Sequence, residues 1–164
     1  MVSMEAEFRL IYNHASYEPI RKFLRILLKF IGIPFLVKID SVEGLSNVSA
    51  DGPAMLMINH IAFVDPIVVL HICPRNIVPL AKVEVYNYPI VGIFPRLWGV
   101  IPVRREEVDR KAIQQVIKVL QAGEIVLVAP EGTRGKQLQQ GKEGVAYIAS
   151  QRRSPIIPVA IQGT

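Results

Sequence analysis

The segment Asn59-His60-Ile61-Ala62-Phe63-Val64-Asp65-Pro66 sets an imidazole and a carboxylate five residues apart, just after the apolar run Ala54-Met55-Leu56-Met57-Ile58. A neutral imidazole takes a proton from an alcohol as that alcohol attacks a carbonyl, which is worth about 10²–10⁴-fold in rate. It works best when a carboxylate holds its second nitrogen and stabilises the imidazolium that forms, a role open to Asp65. On a continuous helix the two side chains would stand about 140° apart, so the pairing needs a turn between them. Pro66 gives a reason for one, because proline favours the first helical position and Asp65 then becomes the N-cap. Each residue also has an ordinary reading: Asp before Pro caps many helices, and His at a strand end is often simply hydrogen-bonded.

Two further clusters carry polar groups at the ends of apolar runs. Pro130-Glu131-Gly132-Thr133-Arg134-Gly135 follows Ile125-Val126-Leu127-Val128-Ala129. Its glycines let the backbone approach an anion closely, Thr133 offers a hydroxyl, and Arg134 offers a planar fork for two phosphate oxygens. The Walker spacing is absent. Gly99-Val100-Ile101-Pro102-Val103-Arg104-Arg105 ends in two adjacent guanidinium groups. Taken singly, the first is a turn with a solvated arginine and the second a solvated strand end.

Positioning these groups requires strands that end at one rim. Short, mostly apolar runs at 54–59, 77–81, 97–103, 125–129 and 156–161 read as strands. Between them the sequence predicts helices over 66–73, 106–121 and about 142–151. The clearest is 106–121, with Val108, Ala112, Val116 and Val119 on one side, Glu106 and Glu107 in the first turn, and Gly123 past its end. Continuous apolar strands alternating with amphipathic helices indicate an α/β domain, a mostly parallel central sheet covered by helices on both faces. In open sheets of this kind, ligands bind at the carboxyl ends of the strands, where His60 falls.

Residues 17–39 form a different kind of segment. Arg21, Arg25 and Lys29 recur every four residues on one side of a helix, while Phe23, Leu24, Ile26, Leu27, Leu28, Phe30 and Ile31 fill the rest. Gly32 and Pro34 are expected to break it. The expectation is an N-terminal amphipathic helix lying in a membrane interface, apolar face in lipid and basic side at the headgroups, against the plainer reading of a helix packed on a core. We accordingly divide the chain into a membrane-associating segment at 1–40 and a catalytic domain at 41–164.

With 164 residues and a mean hydropathy of +0.33, the chain is one domain and not a disordered polymer. The longest stretch without Asp, Glu, Lys or Arg is residues 52–64, too short for a spanning helix. A net charge of +5 favours anionic partners. Nucleic acid is disfavoured, because aromatic residues make up only 7% and sit in apolar surroundings. The one cysteine, Cys73, lies mid-run as a small hydrophobe and rules out an intrachain disulfide, which suits a reducing compartment. Glu5 and Glu7 stand where an export signal would want basic residues. His14 and His71 stand outside any ligand cluster, so no metal is expected.

Taken together and in order, Asn59-His60-x4-Asp65, the block from Gly99 to Arg105, Pro130-Glu131-Gly132-Thr133-Arg134, and Ile156-Ile157-Pro158-Val159 resemble the four motif blocks of the glycerolipid acyltransferase family. That family includes bacterial 1-acyl-glycerol-3-phosphate acyltransferases. The resemblance runs from about residue 52 to residue 164. It implies that His60 is the general base and Asp65 its orienting partner. It also implies that Arg105 binds the acceptor phosphate with Arg104 beside it, and that Glu131, Gly132, Thr133 and Arg134 shape the acceptor site. Pro158 falls on the acyl-donor side. The implied reaction moves a fatty acyl group from an acyl thioester, on coenzyme A or acyl carrier protein, to the free hydroxyl of lysophosphatidate, giving phosphatidate. No metal or prosthetic group is implied, and the place of action is the cytoplasmic side of the membrane, bound peripherally or monotopically. Other acceptors (glycerol 3-phosphate, another lysophospholipid, an ornithine lipid) are alternatives within the family. A catalytically silent anionic-membrane module is an alternative outside it, disfavoured by the presence of both His60 and Asp65. Family members normally continue well past the fourth block, so a further C-terminal part is expected.

Overall fold

Five apolar runs become the strands β1 (Ala54–Ile58), β2 (Ile77–Lys82), β3 (Ile101–Val103), β4 (Ile125–Val128) and β5 (Ile156–Val159) in the computed structural model. It describes residues 13–104, 108–130, 144–152 and 154–163. The sheet order is β3-β2-β4-β1-β5 and every pairing is parallel. Met55 pairs with Val126 on one side and Ile156 on the other, so β1 lies between β4 and β5, and β4 is the middle strand. Proline interrupts three strands without breaking the sheet. Pro102 and Pro158 lie on the outer strands, and Pro79 sits where β2 is paired only with β4.

Parallel neighbours need crossovers, and the helices supply them. They are α1 (Glu18–Leu27), α2 (Ile33–Leu36), α3 (Asp65–Ile72), α4 (Ile93–Trp98), α5 (Arg110–Gln121) and α6 (Gly144–Arg152). From β1 through β2 to β3 the chain moves one way across the sheet, with α3 and α4 on one face. After β3 it reverses, and α5 and α6 fall on the other face, as a fixed crossover hand requires. The core divides the same way. Leu56, Ile58, Ile125 and Leu127 meet Leu24, Val69, Leu70 and Trp98 on one side. Met55, Val126 and Val128 meet Ala112, Val116, Val119, Leu120 and Ile148 on the other.

Three expectations need correction. The run 97–103 is not one strand: Leu97 and Trp98 finish α4, Gly99 turns the chain at φ +71°, and only Ile101–Val103 pairs. A Cβ at Gly99 would come within 2.5 Å of the Tyr17 ring, so a helix-ending glycine is needed there. Helix α5 starts at Arg110, because the Asp109 carboxylate accepts from the Ala112 amide at 3.0 Å and caps it. Val108 therefore lies outside the helix and is 76% exposed instead of facing the core. Glu106 and Glu107 lie outside the described residues. Finally, Gly32 and Pro34 do not end the N-terminal helix. A wide π-type turn at Leu28–Gly32 carries α1 into α2, and Pro34 sits in the first turn of α2, where its missing N–H costs little.

The orientation of α1 also departs from expectation. Arg21 is buried, its Nε donating to Trp98 O at 2.7 Å and its Nη2 to Gly99 O at 3.3 Å, with the guanidinium over the Tyr17 ring. These carbonyls end α4, so the cation also meets the negative end of a helix dipole. Arg25 is half-buried and donates to Cys73 O past the end of α3. The first two basic side chains thus hold α1 to the body instead of facing headgroups, and Lys29 is exposed. Phe23, Ile26, Phe30, Ile31 and Phe35 stand outward, Phe35 at 84% exposure. Among the described residues, no helix is long and apolar enough to cross a membrane.

Candidate functional site

Because all five strands run in parallel, their carboxyl ends share one edge of the sheet. In spatial order that edge carries Arg104 after β3, Lys82 at the end of β2, Pro130 after β4, Asn59 and His60 after β1, and Ile161 beyond β5. Asn59 ties two of these ends together. Its Nδ2 donates to Ile161 O at 2.8 Å and its Oδ1 accepts from Ile161 N at 2.7 Å. Both backbone groups past the end of an outer strand are thereby satisfied by one side chain. Sequence reasoning quoted Asn59 without giving it this work; an amide closing an apolar strand was the available signal.

The next six residues make the turn that a His60–Asp65 pairing requires. Asp65 is the first residue of α3 and is fully buried. Its Oδ2 accepts from the amides of Ile61 and Ala62, both at 2.7 Å, and lies 3.4 Å from His60 Nδ1. The carboxylate therefore reaches backward onto the loop. This corrects the N-cap assignment: Asp65 makes no cap bond within α3; both loop amides converge on Oδ2, and Oδ1 is buried without a hydrogen-bond partner among the described residues. A buried carboxylate without partners would be very costly. Here two amide dipoles, the imidazole and the positive end of α3 offset that cost. The bonds fix the loop, and the loop fixes the imidazole, which keeps 16% exposure at the sheet edge. An N–H on Nδ1 directed at Asp65 places the lone pair on Nε2.

Arg104 is exposed just past β3, its backbone amide donating to Asp109 Oδ2 at 3.1 Å. Asp109 thus holds the chain just past β3 while capping α5. From β3 to β1 is three strand spacings, about 14 Å. Arg105, Glu131, Gly132, Thr133 and Arg134 lie outside the described residues. Pro158 is exposed in β5 opposite Met57. Among the described residues, no group of three or more His, Cys, Asp or Glu is gathered as a metal site would need.

Two further titratable groups, His71 and Cys73, lie at the far end of α3 from Asp65. His71, one residue from the end of α3, has its pKa lowered by burial and by the nearby Lys29 and Arg25 charges. Burial raises the pKa of Cys73, keeping its thiol protonated at neutral pH.

Residues 41–162 match the family model described as Acyltransferase. The chain is 34% identical over 123 residues to the 1-acyl-sn-glycerol-3-phosphate acyltransferase of Bacillus subtilis, spanning 74% of this chain and 62% of that protein. It is 31% identical over 153 residues to the enzyme of the same name from Borreliella burgdorferi, spanning 91% of this chain and 59% of that one. Its fold is shared with the 1-acyl-sn-glycerophosphate acyltransferase of Thermotoga maritima, at a TM-score of 0.73 and 23% identity over 97% of this chain and 65% of the other. The chain spans about half the length of the curated relatives it matches. With the family model covering most of its length, this chain belongs to the acyltransferase family.

Proposed function

We propose that this chain carries the catalytic centre of an O-acyltransferase that moves a fatty acyl group from an acyl thioester to the free hydroxyl of 1-acyl-glycerol-3-phosphate, giving phosphatidate. The observation that carries this reading is the buried Asp65 carboxylate, locked by two amides, beside the His60 imidazole at the carboxyl edge of the sheet. The names of the relatives support the acceptor. His60 Nε2 takes the hydroxyl proton as the oxygen attacks the thioester carbonyl. Asp65, held in place by the two loop amides, stabilises the imidazolium across Nδ1. The tetrahedral intermediate then collapses, the C–S bond breaks, and the thiolate leaves with the proton that His60 returns. Arg105 binds the acceptor phosphate with Arg104 beside it, and Glu131, Gly132, Thr133 and Arg134 shape the rest of that pocket.

Residues 1–40 hold the enzyme to the cytoplasmic side of a membrane, and residues 41–164 carry the chemistry. The support is the outward apolar side of α1 and α2. Arg21 and Arg25 turn inward there while Lys22 and Lys29 stay exposed, so the attachment joins a broad apolar side to two exposed cations. The acyl carrier is coenzyme A or acyl carrier protein. The test is transfer from a labelled acyl thioester to lysophosphatidate in mixed micelles. Labelled phosphatidate is expected, and Arg105→Ala should raise the KM for acceptor at least about tenfold while leaving that for donor unchanged. Equal effects on both substrates would remove Arg105 from the phosphate site. Transfer to glycerol 3-phosphate but not to lysophosphatidate would replace the acceptor.

A further inference from the structure

Between β2 and β3 the chain leaves the catalytic edge, makes a tight loop and returns along α4. Residues 85–103 contain no acidic residue and one charge, Arg96, whose guanidinium is turned inward to Tyr86 O. Yet Tyr88, Ile90, Val91, Ile93 and Leu97 stand outward, Ile90 at 81% exposure. Scattered exposed apolar residues are ordinary, whereas a cluster on one element is not.

Three observations select the occupant of this surface. First, it belongs to the helix that packs against α1. The inner side of α4, through Phe94 and Trp98, packs with Ile20, Leu24 and Leu28 of the N-terminal segment, and Arg21 bonds the end of α4. Second, the loop closes several of its own backbone hydrogen bonds. Tyr88 N donates to Val85 O, Gly92 N to Tyr88 O at 2.9 Å and Ile93 N to Ile90 O at 3.1 Å, while Pro89 has no N–H to satisfy. Each such bond lowers the cost of placing the loop in hydrocarbon, where no water takes its place. Gly92 permits this winding, since a Cβ there would lie 2.6 Å from Tyr86 O and from Tyr88 O. Third, the polar groups sit at its margin. Lys82 and Glu84 pair at the base, and Tyr88 has the apolar body and polar tip that suit a headgroup boundary.

We infer that the loop at 88–93, with Ile93 and Leu97 of α4, is a second membrane-embedding element that sets the catalytic edge against the bilayer beside α1. The inference rests on the membrane attachment proposed above and extends it. Attachment by α1 alone leaves the chain free to roll about that helix. A second contact leaving the same sheet edge as His60 fixes which edge meets the lipid surface, where Phe63 of the catalytic loop is also half-exposed. A lipid acceptor would then reach His60 from the bilayer without its acyl chain crossing water.

The test places a polarity-sensitive thiol dye at Ile90→Cys, with Phe30→Cys and Tyr147→Cys as separate proteins. Cys73 is buried and leaves the introduced cysteine as the accessible thiol. Vesicles of phosphatidylcholine and phosphatidylglycerol carry a quencher in the acyl region. The expected result is a blue shift and lipid quenching at positions 30 and 90, with position 147, on the opposite face of the sheet, unchanged. Ile90→Asp with Val91→Asp should weaken vesicle partition at least about tenfold while preserving transfer to a water-dispersed short-chain acceptor. If position 90 stays open to iodide while position 30 enters the bilayer, the second contact is overturned and the attachment by α1 stands. If neither enters, the attachment itself fails.

Discussion

Helices α1 and α5 are both amphipathic, yet α5 turns an apolar side inward and α1 a mixed one, Ile20 and Leu24 beside Arg21 and Arg25. Helix α5 follows the usual rule: Ala112, Val116, Val119 and Leu120 are buried, and Lys111 and Lys118 are not. Helix α1 buries Leu24 together with Arg21 and leaves Phe23, Ile26 and Leu27 outside, and Phe30 continues that outer side. Amphipathicity fixes that a helix has two sides. It does not fix which one the protein keeps. For α5 the sheet offers only apolar partners. For α1 the last carbonyls of α4 offer a site that a guanidinium fills better than a phenyl ring. The remaining apolar side is left outward among the described residues.

That comparison can be broken at several points. Val116→Asp in α5 buries a charge without a partner and should cost about 3–5 kcal/mol, read as a large fall in the urea midpoint. Arg21→Leu, more apolar than the native residue, should still cost about 2–4 kcal/mol, because the buried carbonyls of Trp98 and Gly99 lose their charged donor. A neutral or stabilising result would return α1 to the ordinary class. Asp109→Ala should cost about 1 kcal/mol through the lost cap of α5, with the Arg104 amide losing its acceptor as well. Phe30→Asp should move the urea midpoint least, within about 0.5 kcal/mol, while weakening vesicle binding strongly. Were it instead to unfold the protein, the outer side of α1 would have a partner within the fold.

The pattern of apolar runs carried most of the architecture, because continuous strands and intervening helices leave few arrangements other than a covered parallel sheet. What local pattern could not give was decided by contacts distant in sequence. The inward turn of Arg21 depends on carbonyls 77 and 78 residues away. Pro34 was expected to stop a helix, and the wide turn before it absorbs the proline. Trp98 reads as strand by residue type, but its indole donates to Ile77 O across the core and fixes the end of α4. In the catalytic loop, sequence spacing raised His60 and Asp65 and required a turn between them. That Asp65 would draw its donors from Ile61 and Ala62 instead of from its own helix depended on the fold of the loop. Arg105 and the segment from Glu131 to Arg134 rest on motif order alone.

The central claim is that His60 is the base of an acyl transfer. It is tested most directly by labelled phosphatidate formation under single-turnover conditions, comparing the native chain with His60→Ala. Melting curves of the two proteins establish that both are folded. The account predicts product from the native protein and a loss of at least about 10²-fold in the variant, with little change in melting temperature. Turnover by His60→Ala within about tenfold of native would contradict it and leave the His60–Asp65 pair a structural feature of the loop.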